Sequence, residues 1–212
     1  MAWFPFFMEL SGAEGLIVGG GTVARRKIEK LLPFGPDLRV VAPQIQPKIR
    51  EIPGLRLEQR PFTPEDIHEG LAFVIAATDE PEQNHTIAAL CREKRIPVNV
   101  VDDPKFCTFL FPALVQKGRL TVGISTAGAS PTAAVRLKEQ IGELLPEAYG
   151  EILDFLEEKR PELKRLIPEK NHAVVMKRLC DECLQQGRPL SEEAYTRVLE
   201  DAMAKTETQQ EE

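Results

Sequence analysis

Two neighbouring acids, Asp102 and Asp103, close the run Asn99-Val100-Val101-Asp102-Asp103-Pro104. A carboxylate at the end of a buried strand can serve as a general base. Partial burial and an adjacent acid would both raise its pKa toward a useful range. The plainer reading is a turn cap ahead of Pro104. Both hold if Asp103 makes the turn and Asp102 does the chemistry. A second stretch sets the chemistry this base would join. Leu16-Ile17-Val18-Gly19-Gly20-Gly21-Thr22-Val23-Ala24 reads as a strand, a glycine turn and a helix opening. Gly19 permits the tight turn, Gly21 lets the backbone approach a pyrophosphate, and Ala24 takes the third small position. The helix N-terminus then offers free N–H groups to the phosphates.

The glycine pattern alone is a weak signal, because an ordinary glycine-rich strand–helix turn looks the same. Its flanks strengthen it. A helical stripe of Ala24, Ile28, Leu31 and Leu32 follows on one face. Gly35 ends that helix, and Leu38–Ala42 reads as a second strand. A ribose-binding acid is expected at the end of that strand. Ala42, Pro43 and Gln44 stand there instead, so Gln44 or backbone groups near Pro43 would have to contact the ribose, and NAD is not separated from NADP by this strand.

These groups need elements to position them. Leu71–Ala77 is a continuous apolar run, as in a strand buried on both faces. Thr78-Asp79-Glu80-Pro81 follows, then a helix over Glu82–Glu93 with Ile87, Leu90 and Cys91 inward, then a strand over Pro97–Val101. This rhythm predicts a parallel sheet with helices on both faces, an α/β Rossmann-type domain over 1–112. Ligands bind beyond the carboxyl ends of such strands. The loops Gly19–Val23, Thr78–Pro81 and Asp102–Pro104 therefore converge, and Thr22, Val23, Thr78 and Asp79 join the glycines as cofactor-binding candidates.

After residue 112 the rhythm changes. Phe109–Val115 and Leu120–Ser125, joined at Gln116–Arg119, read as a hairpin. Thr126-Ala127-Gly128-Ala129-Ser130-Pro131 is a loop opening a helix that runs to about Leu145, with Ser130 as N-cap and Pro131 in the first turn. Its hydroxyls and N–H groups suit an anion, and ordinary capping explains them equally well. Lys105, Lys117, Arg119 and Arg136 flank these loops and suit a polyanionic substrate. The reading assigns 113–146 to this segment. It assigns 147–206 to a small all-helical domain, with Ile152, Leu153, Phe155 and Leu156 on one face, Val174–Gln186 helical, and a last helix from Glu192 to about Ala204 capped by Ser191. A polar run from Lys205 leads into a disordered tail, 207–212.

Bulk properties exclude several classes. The chain has 212 residues, 42% hydrophobic, with a net charge of −6. No basic stripe with interleaved aromatics suggests nucleic acid, and no apolar run suggests a membrane span. The apolar start, Met1–Met8, lacks a basic region and a cleavage site. It reads as an edge segment rather than a signal peptide. Cys91 and Cys107 read as buried thiols. Cys180 and Cys183 form C-x-x-C inside a helix without a second ligand pair, so no metal site is expected and the chain reads as a cytoplasmic protein with reduced cysteines.

Taken together, several stretches resemble one family. They are Val18–Lys27, Ala76-Ala77-Thr78-Asp79, Asn99–Pro104, Phe109–Ala113 and Ile124–Pro131, in order over roughly residues 1 to 145. The chain is similar to the precorrin-2 dehydrogenase/sirohydrochlorin ferrochelatase family, the nucleotide-binding part of siroheme synthases. The resemblance implies a Rossmann domain, a dimerisation hairpin and helix, and a helical domain, assembled as a homodimer. It implies NAD-dependent oxidation of precorrin-2 to sirohydrochlorin. Some members also insert ferrous iron as a substrate, and the reading favours the dehydrogenase while leaving that step open. The family's catalytic aspartate falls on Asp102. Asn99, Thr126, Gly128 and Ser130 fall against the tetrapyrrole. A reduced macrocycle rich in carboxyl groups gives the basic loops a use. Since the sequence ends at Glu212, methylation of the precursor is expected from another protein.

Two rivals remain. An NAD(H)-sensing module needs neither the base nor the anion loop. A dehydrogenase for a small metabolite usually needs a His or Lys acid, and His68, His85 and His172 all fall outside the crevice loops.

Overall fold

A computed structural model describes residues 3–208, with side chains through residue 204. The chain divides into two compact units, 1–111 and 112–212.

The first unit is built on a parallel five-stranded sheet in the order β3-β2-β1-β4-β5. Its strands are β1 (Glu14–Val18), β2 (Asp37–Val41), β3 (Arg56–Glu58), β4 (Phe73–Ala76) and β5 (Val98–Val100). The apolar runs of β1, β4 and β5 bury on both faces, as the absence of polar alternation requires. Three helices join them: α1 (Thr22–Leu31), the short α2 (Pro47–Arg50) and α3 (Pro81–Glu93). On one face Leu16, Val18, Val74, Ile87, Ala88 and Cys91 pack together. On the other, Ile17, Ala24, Ile28, Val40, Ile49 and Ile75 do so. The chain moves outward from β1 to β3 and then crosses back to β4. The reversal lies between β1 and β4, which is where a sheet of this kind opens a crevice.

Several expectations change. Leu32 leaves the α1 stripe, because the helix tightens into a 3₁₀ turn at Leu32–Phe34 and the side chain is exposed. Leu90 is only half-buried; Ala88 takes the inward place beside Ile87 and Cys91. Leu71 and Ala72 precede β4 instead of belonging to it. The strand β3 carries no apolar run that would announce it. The N-terminal segment from Trp3 to Leu10 forms no strand. Trp3 packs on the core while Phe4, Phe6, Phe7 and Met8 are exposed.

The outer strands are tied by charge. Asp66, buried, accepts from Arg39 Nη1 at 2.9 Å, from Arg60 Nη1 and Nη2 at 2.9 and 2.5 Å, and from the Thr63 amide at 2.9 Å. Burial pushes its carboxyl up, but the hydrogen bonds from Arg60, Thr63 and Arg39 outweigh it and hold the carboxyl down at about 2.

The second unit begins with an antiparallel pair, β6 (Ala113–Lys117) and β7 (Leu120–Ile124), so Phe109–Pro112 stays outside the hairpin. Then come α4 (Pro131–Leu144), α5 (Tyr149–Leu166), α6 (Glu169–Gln186) and α7 (Glu192–Thr208). The last three bury Ile152, Leu156, Leu163, Val175, Leu179, Cys183, Tyr195 and Val198 against one another. Leu153 and Phe155 are half-buried beside that face. Ser191 caps α7 through Ala194 N–H, as its residue type suggests. The helix continues past Ala204 through Thr208, so the polar run from Lys205 begins as helix; residues 209–212 of the expected tail lie outside the described residues. All four cysteines are free. Among the described residues, no helix is long and apolar enough to cross a membrane.

Two outcomes follow from this packing. The Asp66 carboxyl titrates lower when folded than when unfolded. Its contribution is therefore complete above the unfolded value near 4 and is lost as pH falls through about 2. Asp66→Asn should cost on the order of 2 kcal/mol at pH 6, and the gap from the parent should close on acidification, read by urea unfolding at several pH values. Leu179→Ala, at a fully buried site, should destabilise the helical unit by about 2–5 kcal/mol. Faster amide exchange in α5–α7 with exchange in the sheet unchanged would show it.

Candidate functional site

The turn after β1 has almost no room for side chains. Gly19 has φ +127, and a Cβ there would lie 2.1 Å from the Ala77 carbonyl oxygen. A Cβ on Gly20 would lie 2.1 Å from the Gln44 carbonyl oxygen. The loops after β1, β2 and β4 therefore meet backbone to backbone, joined by Gln46 N–H to the Gly20 carbonyl at 3.0 Å and Ala77 N–H to Val18 at 2.8 Å. Gly21 differs: nothing lies within 4 Å of where its Cβ would be.

That open space belongs to a cavity of about 700 Å³. Gly21, Thr22 and Val23 line it from the start of α1, and Ala77, Thr78 and Asp79 from the end of β4. Pro81, Asn84 and His85 enter from α3, and Val100, Val101, Asp102 and Asp103 from β5 and its loop. The three loops singled out in the sequence thus converge on one cavity. The loop after β2 contributes Gln46, whose Nε2 donates to Thr22 Oγ1 at 3.1 Å. Pro43 and Gln44 are exposed and do not line it.

The α1 end of the cavity fits a dinucleotide pyrophosphate. Its helix has no side-chain cap and no acid in its first turn. The first-turn N–H groups, unpaired within any helix, stay available to an anion. Gly21, without a side chain, leaves the approach clear. At β4, Asn84 is 5% exposed and fixes Thr78 three ways: its Oδ1 accepts from Thr78 Oγ1 at 2.8 Å and from the Thr78 amide at 3.2 Å, and its Nδ2 donates to the Thr78 carbonyl at 3.0 Å. Sequence reasoning passed over Asn84, although its place in the first turn of a helix opening on the crevice is a usable signal.

The two aspartates differ. Asp103 Oδ2 accepts from His85 Nε2 at 2.9 Å, and the His85 ring stacks on Phe106, 3.9 Å between centroids. The Asp103 carbonyl accepts the Phe106 amide at 3.2 Å, so Asp103 does close the turn. Asp102 has φ +60, is exposed, and has no hydrogen-bond partner among the described residues. The partial burial expected of it is therefore not present. His85, placed by the sequence outside the crevice, lines it.

Asn99 is buried and does not line the cavity. It accepts from Lys27 Nζ at 3.2 Å and donates to the Phe109 carbonyl at 3.1 Å. Beside it the buried Cys107 thiol, raised by burial, accepts the Val100 amide at 3.2 Å. Lys27 lies over the Phe111 ring, 3.8 Å from its centroid. Desolvation, with Lys30 adding to it, pushes its ammonium down to about 8.

Within the second unit, the loop 126–130 spends its hydroxyls on itself. Thr126 Oγ1 donates to the Ser130 carbonyl at 3.0 Å, and Ser130 Oγ accepts the Ala133 amide at 3.2 Å. Ala127 and Gly128 take positive φ to make the turn. Capping thus accounts for Thr126 and Ser130. The flanking cations are partly committed too: Lys117 donates to the Leu145 and Pro146 carbonyls, and Arg119 pairs with Asp154 and Glu157. Among the described residues, no three His, Cys, Asp or Glu side chains are grouped to hold a metal.

Comparison with known proteins agrees with this geometry. Residues 6–113 match the family model described as "Putative NAD(P)-binding", and residues 117–144 match that described as "Sirohaem biosynthesis protein central". The siroheme synthase of Pseudomonas entomophila (strain L48) is 36% identical over 174 residues, covering 81% of this chain and 37% of that protein. The siroheme synthase of Pseudomonas paraeruginosa is 35% identical over 212 residues, covering 96% of this chain and 45% of that protein. The chain thus spans less than half the length of these relatives. Among solved structures, SirC, a precorrin-2 dehydrogenase, superposes with a TM-score of 0.69 at 27% identity, over 95% of this chain and all of that one. The chain belongs to the NAD(P)-binding family whose model matches residues 6–113, and it is similar to siroheme synthases and to SirC.

Proposed function

We propose that this chain is an NAD-dependent dehydrogenase that oxidises precorrin-2 to sirohydrochlorin, in siroheme biosynthesis. The observation that carries the reading is Asp102. It lines the same cavity as the N-terminus of α1, and it is the one of the paired aspartates with no hydrogen-bond partner among the described residues. Removing two hydrogens from a reduced macrocycle sends one out as hydride and one as a proton. A bound nicotinamide supplies the hydride acceptor. Asp102 takes the proton, and Asp103, held by His85, keeps the loop in place. Gly21, Thr22 and Val23 hold the pyrophosphate, and Thr78 and Asp79 border the nicotinamide side. NAD is the cofactor this reading takes, and the parallel incubation with NADP below separates the two. The tetrapyrrole, with its carboxyl groups, is the substrate. A homodimer that joins through 113–146 is the assembly the reading implies.

The deciding experiment is an anaerobic incubation with precorrin-2 and NAD, with NADP in parallel, followed by absorbance. Sirohydrochlorin that appears only with NAD supports the reading. No change from folded, NAD-binding protein would sink it and favour a sensing module. Ferrous iron added afterwards reads the chelatase step separately. Asp102→Asn should lower kcat by about 10²–10⁴-fold with the affinity for NAD unchanged; an equal loss of NAD binding would remove its catalytic role. Gly21→Val tests the cradle. Its φ of −90 suits any residue and nothing blocks the side chain, so the variant should fold as the parent does. Its affinity for NAD should fall by at least about a hundredfold, roughly 3 kcal/mol, by titration calorimetry.

A further inference from the structure

A second cavity, of about 360 Å³, runs along α1 and meets the nucleotide cavity at Val23. Arg26, Lys27, Glu29 and Lys30 complete its lining. Three of these are cations, and none of the three forms a salt bridge among the described residues; the Asp102 carboxylate acts on Lys27 only from beyond salt-bridge distance. The one acid, Glu29, is taken by Arg25 at 2.5 Å. In a chain with more acids than bases, three cations without salt-bridge partners in one concave place suit an anion from outside. Lys27 makes the case sharper. Its ammonium is half-buried over the Phe111 ring and reaches only the neutral Asn99 amide. A cation partly taken from water with no carboxylate in direct contact is costly, and an arriving anion would recover that cost.

The placement selects the anion. Lys27 reaches Asn99 on β5, the strand whose following loop carries Asp102. The adenosine end of a dinucleotide lies instead on the β2 side, where Gly20 meets Gln44. This cavity is therefore on the substrate side of the crevice. We propose that Arg26, Lys27 and Lys30 form a carboxylate subsite, which grips a polycarboxylate substrate while its reacting edge sits in the nucleotide cavity. The inference rests on the dehydrogenase reading for the identity of the substrate. It differs from that reading in the residues it names, none of which takes part in hydride or proton transfer.

Uroporphyrin, a stable tetrapyrrole rich in carboxylates, is the probe, and quenching of its fluorescence by the full chain is the readout. Arg26→Gln and Lys30→Gln change exposed side chains. Each should weaken binding about two- to fivefold, and the pair about tenfold, less so at high salt. Lys27→Met should weaken it further. Affinity for NAD and for NADP should stay at the parent value in every variant. Unchanged uroporphyrin binding by the Arg26/Lys30 double variant would overturn the subsite. So would a parallel loss of NADP affinity, which would assign the cations to the nucleotide. Turnover separates the two readings. If the parent oxidises precorrin-2 and the variants keep its KM, the subsite fails while the dehydrogenase stands. If uroporphyrin binding follows these charges but precorrin-2 is never oxidised, the subsite stands and the dehydrogenase fails.

Discussion

The structure depends on a contact between backbones. At the end of β1, Gly19 lies under the Ala77 carbonyl and Gly20 under the Gln44 carbonyl, each so close that a methyl group would overlap an oxygen. The approach brings the ends of β1, β2 and β4 to one place without side chains between them. It also sets where α1 begins, and hence where its unpaired N–H groups point. Moving the turn outward by the width of a methyl group would carry α1 with it and separate Thr22 and Val23 from Thr78. The cavity exists because two residues there have no side chain, and it is open because a third, Gly21, has none either.

Much of this was legible in the sequence. Strands β1, β4 and β5 are buried on both faces, and such strands read as unbroken apolar runs. The glycine turn carries its constraint in residue type, and Ser130 and Ser191 show theirs as caps. What escaped was whatever depends on partners distant in the chain. Arg56–Glu58 becomes a strand because β2 offers it an edge, not because of its own composition. His85 looked remote from the crevice because its distance along the chain hides that α3 starts at the cavity. Asn99 shows its polar type in the sequence but not its partners, Lys27 and Phe109, which lie 72 and 10 residues away. Lys27 itself reads as one charge in the run Arg25-Arg26-Lys27, and only the fold shows that Phe111 covers it. Leu32 and the exposed Phe4, Phe6 and Phe7 show the reverse: apolar type alone does not decide burial.

One helix organises the site. The start of α1 faces the nucleotide cavity with its backbone, its inner face supplies Ala24 and Ile28 to the core, and its remaining edge carries Arg26, Lys27 and Lys30. The three roles occupy different sides of the same cylinder, and the two cavities share only Val23. The start of α4 contrasts with it. There Ser130 already satisfies a first-turn amide and Thr126 closes the loop, so the positive end of the helix is partly used before any ligand arrives. The two helix openings look alike in sequence. Their difference lies in whether the capping position carries a side chain: glycine leaves the α1 amides open, and serine closes off α4.

The paired aspartates show how neighbouring residues of one type come to differ. A left-handed backbone costs a side-chain-bearing residue about 1 kcal/mol, and Asp and Asn bear it better than most. Asp102, at φ +60, is held there from both sides. Val101 donates to the Ala76 carbonyl before it, and Asp103 is fastened to His85 after it. The cavity therefore keeps one carboxylate bound and one unbound. The same backbone decides how Asp102 can be probed. Asparagine accepts the left-handed conformation and removes only the charge and the basic oxygen, so a loss of turnover on that change reports chemistry. Alanine removes the carboxylate and also the local tolerance for positive φ, so a loss there would mix a missing base with a displaced loop. Valine, branched at Cβ, would disturb the loop most of all.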